Sequence, residues 1–452
     1  MKCTSCGSEN VVFMKFNGKW QCADCGAAFN TAPDSAKTGA NESSMSAEAE
    51  ELLIELQKLV DEMQACMAGD LNNPDLGFIN TANAKIVRLG ERFMKAVGNA
   101  QGKLIYAEIL CMAAQRELEV DKNSAFNCIK RAGEQLSLVN PEDVDKTEWD
   151  YAQFVFNSTL CKFHMACGDL DGAKKVGMCA YEHGCLLTKG FEKATELALL
   201  LHELGKAEEQ RENLKEAIRI YKAAADMAEN AATQAEESDS EVARNALNLT
   251  LPAVFLQSLK NAGNAAGRLD DWRCSRECFK KAYGCAAAVS KGDERFMREL
   301  AYSLSMLGTA EEKLNNLNEA FYCHVQAIQI SKELAERNPN QTKYLRDLGI
   351  SLTQAGTVAG LAGDMDKANG LIAGSVDVFK RLVDSNPSGE LFKDDLATTL
   401  YMFGTVGTNK RRTPEQKSYL KEAISIWTQL YNETSDDSYR DKISTAKKAM
   451  KK

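Results

Sequence analysis

Apolar residues recur along most of this chain three and four positions apart with charged residues between them, the spacing that lines one face of an α-helix. Leu52, Leu53, Leu56, Leu59, Val60 and Met63 follow it until Gly69, and Ile79, Ile86, Leu89 and Phe93 follow it over about 76–97. The spacing predicts a helical hairpin or cap over 47–103, entered at Ser46 and turned at Asn72-Asn73-Pro74. Further on, the pattern itself repeats. Phe296, Tyr344 and Phe392 stand 48 residues apart, Gly308, Gly356 and Gly404 do the same, and Pro339 falls one step before Pro387. A fixed step of this size marks stacked supersecondary units, none of which can bury its apolar face alone.

From Leu104 onward a second, finer register appears. A small residue stands at Ala113, Cys161, Gly205, Gly263, Gly308, Gly356 and Gly404. Twelve residues later come Ala125, Ala173, Ala217, Ser275, Ala320 and Ala368, and in the last unit, after an expected short insertion, Ala423. Seven further on lie Ala132, Ala180, Ala224, Ala282, Ala327, Ser375 and Leu430. Between them sits a larger filler at Ile129, Tyr221, Phe279, His324, Ile372 and Trp427, with Gly177 the exception. Small residues at these offsets let two antiparallel helices cross closely.

These residues resemble the tetratricopeptide repeat family over about 104–431. The resemblance implies a right-handed superhelix of helical hairpins whose first helices line a concave, partner-binding face. The family's usual period is about 34 residues, whereas the steps here are 48, 44, 58, 45, 48 and 55, so each helix is expected to be several residues longer. Asn140-Pro141, Asn338-Pro339 and Asn386-Pro387 read as helix stops. The two longest steps are ascribed to an acidic insertion near Glu236-Glu237-Ser238-Asp239 and a basic loop at Lys410-Arg411-Arg412-Thr413-Pro414. The expected fold is all-α, a solenoid of about seven long hairpins over 104–435 closed by a terminal helix at 436–452.

The first thirty residues break this pattern. Cys3-x2-Cys6-Gly7 and Cys22-x2-Cys25-Gly26 are two knuckles that each aim two thiolates at one point, enough for a closed tetrahedral Zn²⁺ site. Val11-Val12-Phe13 and Trp20-Gln21 read as strands about an Asn17-Gly18 turn. Residues 1–30 resemble the zinc-ribbon family, with Cys3, Cys6, Cys22 and Cys25 as the ligands. With no open position the metal is expected to be structural, zinc by preference and iron in a rubredoxin-like site as the alternative. Residues 31–46 are small, polar and aperiodic, the composition of a flexible linker.

Composition narrows the function. Aromatics are 7% of the chain, which carries a net charge of −9, a balance that disfavours a nucleic-acid binder overall. No leader-like apolar segment follows Met1, so a cytoplasmic location is expected, with the Cys outside the ribbon serving as small core residues. Cys161 with His164 and Cys179 with His183 have helical spacing for a second metal site, but Cys161 occupies the slot that takes Gly in other repeats, which explains it as packing. The four His stand beside no nucleophile motif and no glycine-rich phosphate loop occurs, so catalysis is not expected.

Binding remains. Positions beside the small slot of each first helix are expected to face the groove: Lys162, His202, Lys206, Lys260, Asn264, Arg268, Tyr302, Lys313, Thr353, Thr357 and Tyr401. Lys206, Lys260, Arg268 and Lys313 would then form a positive strip that steers acidic peptides inward. Leu259-Lys260-x-x-Gly263-Asn264 resembles the first repeat of the carboxylate-clamp subfamily, which implies that Lys260 and Asn264 touch a terminal carboxylate. The later clamp positions are Met306, Ile350 and Gln354, so the full clamp is absent. The expected function is a non-catalytic adaptor that binds a protein or peptide in the groove. The alternative is a nucleic-acid-associated regulator whose ribbon contacts DNA or RNA.

Overall fold

A computed structural model of the protein describes residues 11–14, 19–22, 28–29, 46–69, 76–118, 120–187, 190–238, 240–290, 293–406 and 412–451. They belong to two compact units, Met1–Leu200 and Leu201–Lys452.

The first unit begins with three short antiparallel strands, β1 (Val11–Met14), β2 (Lys19–Cys22) and β3 (Ala28–Phe29), in the order β1-β2-β3. Val11 stands opposite Cys22 and Trp20 opposite Phe29. Cys22 therefore closes β2, while Cys3, Cys6 and Cys25 lie outside the described residues, as does the Asn17-Gly18 turn. Next come α1 (Ala47–Gly69) and α2 (Leu76–Val97), whose Leu52, Leu56, Leu59, Ile86, Leu89 and Phe93 share one buried core. Two hairpins follow, α3 (Ala100–Glu117) with α4 (Lys122–Ser137) and α5 (Lys146–Ala166) with α6 (Leu170–Gly184). Helix α7 (Phe191–Gln210) carries the boundary between the units.

In the second unit the end of α7 pairs with α8 (Leu214–Glu236). The short α9 (Glu241–Asn245) leads into α10 (Leu251–Arg268), which pairs with α11 (Trp272–Val289). Three further hairpins are α12 (Glu294–Lys313) with α13 (Leu317–Arg337), α14 (Thr342–Leu361) with α15 (Met365–Ser385), and α16 (Glu390–Thr405) with α17 (Pro414–Thr434). Helix α18 (Asp437–Met450) packs on α17. Asn338 and Asn386 cap α13 and α15 just before their prolines, as the Asn-Pro pairs predict.

The small slot works as expected, and the structure names its partner. A Cβ added to Gly205 would lie 2.6 Å from the Tyr221 ring, one on Gly263 2.6 Å from Phe279, one on Gly308 2.7 Å from His324, and one on Gly356 2.5 Å from Ile372. In each case the filler stands sixteen residues after the slot. Gly404 obeys the same rule, its Cβ meeting Leu420 at 2.6 Å and the Gln416 carbonyl at 2.9 Å. The last hairpin therefore contains no insertion before its second helix. Ala423, fully buried, occupies the slot of Ala327 and Ser375, and Leu420 rather than Trp427 is the filler. Helix α16 stops at Thr405, one residue past its slot, where α14 runs five residues past its own.

Seven residues after the slot the backbone turns left-handed, at Gly168 (φ 77°), Glu212 (60°), Asp270 (57°), Asn315 (65°) and Gly363 (89°). The next residue is an Asp or Asn that caps the second helix, Asp169, Asn213, Asp271, Asn316 and Asp364, and Asp121 caps α4 at the same place without a left-handed residue before it. The aspartates accept a backbone N–H at their helix starts. The two asparagines instead donate to a glutamate three residues after the slot, Asn213 to Glu208 and Asn316 to Glu311, both at 2.6 Å. Arg412 stands at this position in the last hairpin and cannot cap. The start of α17 moves to Thr413, which forms a capping box with Gln416 ahead of Pro414.

The longest step is helix rather than loop. Glu236 still belongs to α8, and residues 241–268 are helical throughout. A π-helical segment, Ala246–Thr250, joins α9 to α10, with Leu251 N–H donating to the Ala246 carbonyl. Pro252 has no N–H and its ring crowds the carbonyl four residues back, which a local widening to the wider π spacing relieves.

Candidate functional site

Successive first helices of the second unit meet along a polar ladder. Nine residues before the small position of the last three first helices stands an acid: Glu299 on α12, Asp347 on α14 and Asp395 on α16. Arg298 Nε donates to Asp347 at 2.7 Å, and Arg346 Nη2 to Asp395 at 3.1 Å, two pairs related by the 48-residue step. The equivalent of these arginines on α10 is Ala253. Glu299 therefore takes a different cation, and Lys260 Nζ reaches it at 2.6 Å.

That substitution builds the densest cluster among the expected contact residues. Lys260, Asn264 and Arg268 recur every four residues on α10 and share one face. The Lys260 ammonium lies between Glu299 and the face of Tyr302, 4.6 Å from the ring centroid, and its side chain is only 14% exposed. Asn264 and Tyr302 exchange hydrogen bonds at 3.1 and 3.2 Å between amide and hydroxyl. Tyr302 meets Phe279, the filler of the Gly263 slot, edge-on at 6.2 Å. Burial pushes the Tyr302 phenol above its ordinary pKa.

The other expected residues find separate partners. Arg268 spans Glu209 at 3.2 Å and Glu212 at 2.6 Å. Lys206 pairs with Glu203 at 3.0 Å on its own helix, and Lys313 lies over the Trp272 ring at 5.9 Å. The expected positive strip is therefore compensated. Lys206, Lys260 and Arg268 are matched by Glu203, Glu299, Glu209 and Glu212, so this set has no surplus of positive charge.

Some residues expected in the groove are buried instead. His202 is hydrogen-bonded to Ser258 at 2.9 Å, and burial lowers its pKa. Thr353 sits within 2.7 Å of Ser375 Oγ and 3.3 Å of Thr399 Oγ1. The reason is the ladder itself. Positions three before the slot face the adjacent first helix, as Ser305 on Gln354 also illustrates. Lys206, Arg268 and Lys313, one and five residues after the slot, keep exposed side chains.

Sequence reasoning missed the ladder, although its signal was present. Arg298 and Arg346 stand one repeat apart, and an acid recurs at Glu299, Asp347 and Asp395. Neither metal alternative outside the ribbon gains support. His164 pairs with Asp169 at 2.7 Å, His183 with Asp150 at 3.0 Å, and the Cys161 thiol donates to the Ala173 carbonyl at 3.2 Å. Among the described residues no group of three or more His, Cys, Asp or Glu is placed to hold a metal ion. No helix among them is long and apolar enough to cross a membrane.

No curated protein sequence matches the chain. Among solved structures the chain is similar to apo RapI, at 11% identity over 88% of this chain and 98% of that one, with a TM-score of 0.38. It is also similar to BtubC from P. vanneervenii, at 16% identity over 62% and 92% with a TM-score of 0.34. A third similar structure is YrrB, described as a TPR protein with an unusual peptide-binding site, at 16% identity over 55% and 98% with a TM-score of 0.27. Residues 300–340, most of the α12–α13 hairpin, match the family model of the tetratricopeptide repeat.

Proposed function

We propose that the protein is a non-catalytic scaffold that binds a protein or peptide along the first-helix face of its repeats. The observation that carries this reading is the Lys206, Asn264, Arg268 and Lys313 stripe, which projects polar groups from three successive first helices beside an interlocked ladder. The ladder holds the backbone of the face rigid, so a bound chain would not pay to order it. The partner is proposed to be acidic. Its carboxylates would exchange with Glu203, Glu209 and Glu212 on Lys206 and Arg268, and exposed ion pairs of this kind are worth only about 0–1 kcal/mol each. Lys260 is the weaker handle, because a ligand there must displace Glu299 from a mostly enclosed site.

The test is fluorescence anisotropy with acidic peptides on the full chain at several salt concentrations. Double charge reversal, Lys206→Glu with Arg268→Glu, should weaken binding at least tenfold, whereas Lys410→Glu with Arg411→Glu should leave it within twofold. The reverse outcome would place the binding surface elsewhere.

The same proposal keeps a structural zinc ion on Cys3, Cys6, Cys22 and Cys25. Supporting it are the knuckle spacing and the antiparallel strand frame that Cys22 closes. Bound there, zinc would supply folding energy to a unit too small for a core of its own. Elemental analysis should find about one zinc per chain and lose it in Cys22→Ser, with the helical circular dichroism unchanged. Zinc retained by that variant would end the assignment.

A further inference from the structure

Between α2 and α4, beside the last turn of α3, lies a cleft of about 390 Å³. That volume is within the range of small-molecule sites, which combine apolar walls with a few convergent polar groups. On α2 the residues Asn83, Val87 and Glu91 recur every four positions, with Ala84 and Arg88 beside them. Ser124, Cys128 and Arg131 of α4 line the opposite wall, and Glu117 of α3 lines the cleft between them.

The four charged side chains of the cleft are unequally paired. Arg131 donates to Glu91 at 3.3 Å and to the Tyr106 hydroxyl, and Glu91 also takes Lys95 at 2.9 Å. Glu117 and Arg88 remain: among the described residues no cation pairs with Glu117 and no anion with Arg88. Glu117 closes α3, at the negative end of the helix dipole, where a second cation-favouring influence adds to its own charge. Asn83 contributes an acceptor in the same place. It is 2% exposed, its amide N–H groups donate to the Ala113 carbonyl at 3.2 Å and to Glu117 Oε1 at 2.7 Å, and its oxygen receives no donor. A buried acceptor left without a donor is costly. Beside an unpaired carboxylate, the group that suits it is a donor that also carries positive charge.

We infer that this cleft binds a small zwitterion, an α-amino acid with an uncharged side chain. Its ammonium would meet Glu117 and the Asn83 oxygen, and its carboxylate would meet Arg88, which is exposed at the rim. Glu91 and Arg131 are committed to each other, so a charged ligand side chain would find no counter-ion. Ala84 and Val87 instead offer it apolar contact. None of these residues belongs to the Lys206, Asn264, Arg268 and Lys313 stripe, so the inference does not rest on the proposed function, and the failure of one leaves the other standing.

The experiment is isothermal titration calorimetry of the full chain with leucine and methionine, beside aspartate, lysine and two fragments of leucine, isoamylamine and isocaproate, that each keep one of its charges. Leucine or methionine should bind, and the other four should bind about tenfold more weakly or not at all, the loss expected for one charge-assisted hydrogen bond. Glu117→Gln keeps an acceptor for the Asn83 amide and Arg88→Met changes an exposed side chain, and each should weaken leucine binding by roughly the same factor. Ala84→Phe should fill the cleft and abolish it. Circular dichroism checks that each variant is folded, and Arg88→Met, at the surface, decides the matter should the others not be. No binding of leucine or methionine, an affinity unchanged in Arg88→Met, or isoamylamine binding as tightly as leucine would overturn the site.

Discussion

The hairpins α5–α6 and α12–α13 solve one packing problem with opposite allocations of volume. In α12–α13 the first helix contributes only Gly308 and the second contributes His324, whose ring a Cβ on Gly308 would overlap at 2.7 Å. In α5–α6 the first helix contributes Cys161 and the second contributes Gly177, both buried. The crossing requires a fixed total volume and does not require glycine on a particular helix. The two differ in polarity as well. The Cys161 thiol finds the Ala173 carbonyl, whereas His324 is fully buried with neither ring nitrogen hydrogen-bonded.

The largest expected effect comes from overfilling one allocation. Gly308→Leu adds a four-carbon side chain where not even a Cβ fits, and should cost about 3 kcal/mol, the upper end of usual overpacking penalties. Gly284→Leu on α11, where nothing lies within 4 Å of an added Cβ, should leave stability equal or slightly raised. Equal melting temperatures for the two variants would break the volume argument.

His324 makes the comparison sensitive to pH. Burial alone holds its pKa at about 4, below the ordinary 6.5. Between those values the unfolded chain binds a proton that the folded chain refuses. The stability contribution is therefore whole above about pH 6.5 and lost at up to about 1.4 kcal/mol per pH unit as pH falls toward 4. Denaturant titrations at pH 7 and pH 5 should show this loss in the wild type, and His324→Phe should abolish it while raising stability at both. A pH dependence unchanged in that variant would assign the loss to other groups.

What the sequence made legible follows from how locally each feature is encoded. The slot, its small partners and the Asn-Pro stops depend on residues within one hairpin, and their spacing could be counted directly. The left-handed turn and its Asx cap were equally local, at Asp169, Asn213, Asp271, Asn316 and Asp364, but nothing apolar marked them. Lacking that anchor, the last hairpin was given an insertion it does not have, since Arg412 fills the cap position. The groove fared worse for a physical reason. Whether His202 or Thr353 points to solvent depends on how closely adjacent first helices approach, and that distance is set by pairs such as Arg298–Asp347 from different repeats. The charge of the face likewise depends on partners such as Glu299 that a list of basic positions leaves out.

Transplanting one allocation into the other hairpin gives a smaller, sharper effect. Gly308→Cys and His324→Gly are each expected to destabilise, the first by crowding and the second by opening a cavity. Made together they reproduce the pair at Cys161 and Gly177, so the double variant should be more stable than the sum of the singles predicts by about 1–2 kcal/mol. Additive losses in the double-mutant cycle would mean that the two residues do not share one volume.

The smallest difference lies in the turns. Gly168 (φ 77°) and Asn315 (φ 65°) hold the same left-handed position in the two hairpins. Nothing lies within 4 Å of a Cβ added at Gly168, so any substitution there is charged to the backbone alone. Gly168→Ala should cost about 1 kcal/mol, the left-handed penalty of an ordinary L-residue. Asparagine hydrogen-bonds locally in this conformation, so Gly168→Asn should cost only a few tenths, and Asn315→Gly should change stability by a similarly small amount. If Gly168→Ala and Gly168→Asn melt alike, the asparagine at 315 is not there for its backbone tolerance. The recurrence of Asx at the neighbouring cap would then be the turn's true determinant, and Asp169→Ala should prove the costlier change, by about 1 kcal/mol through the lost bond to the Gly172 N–H.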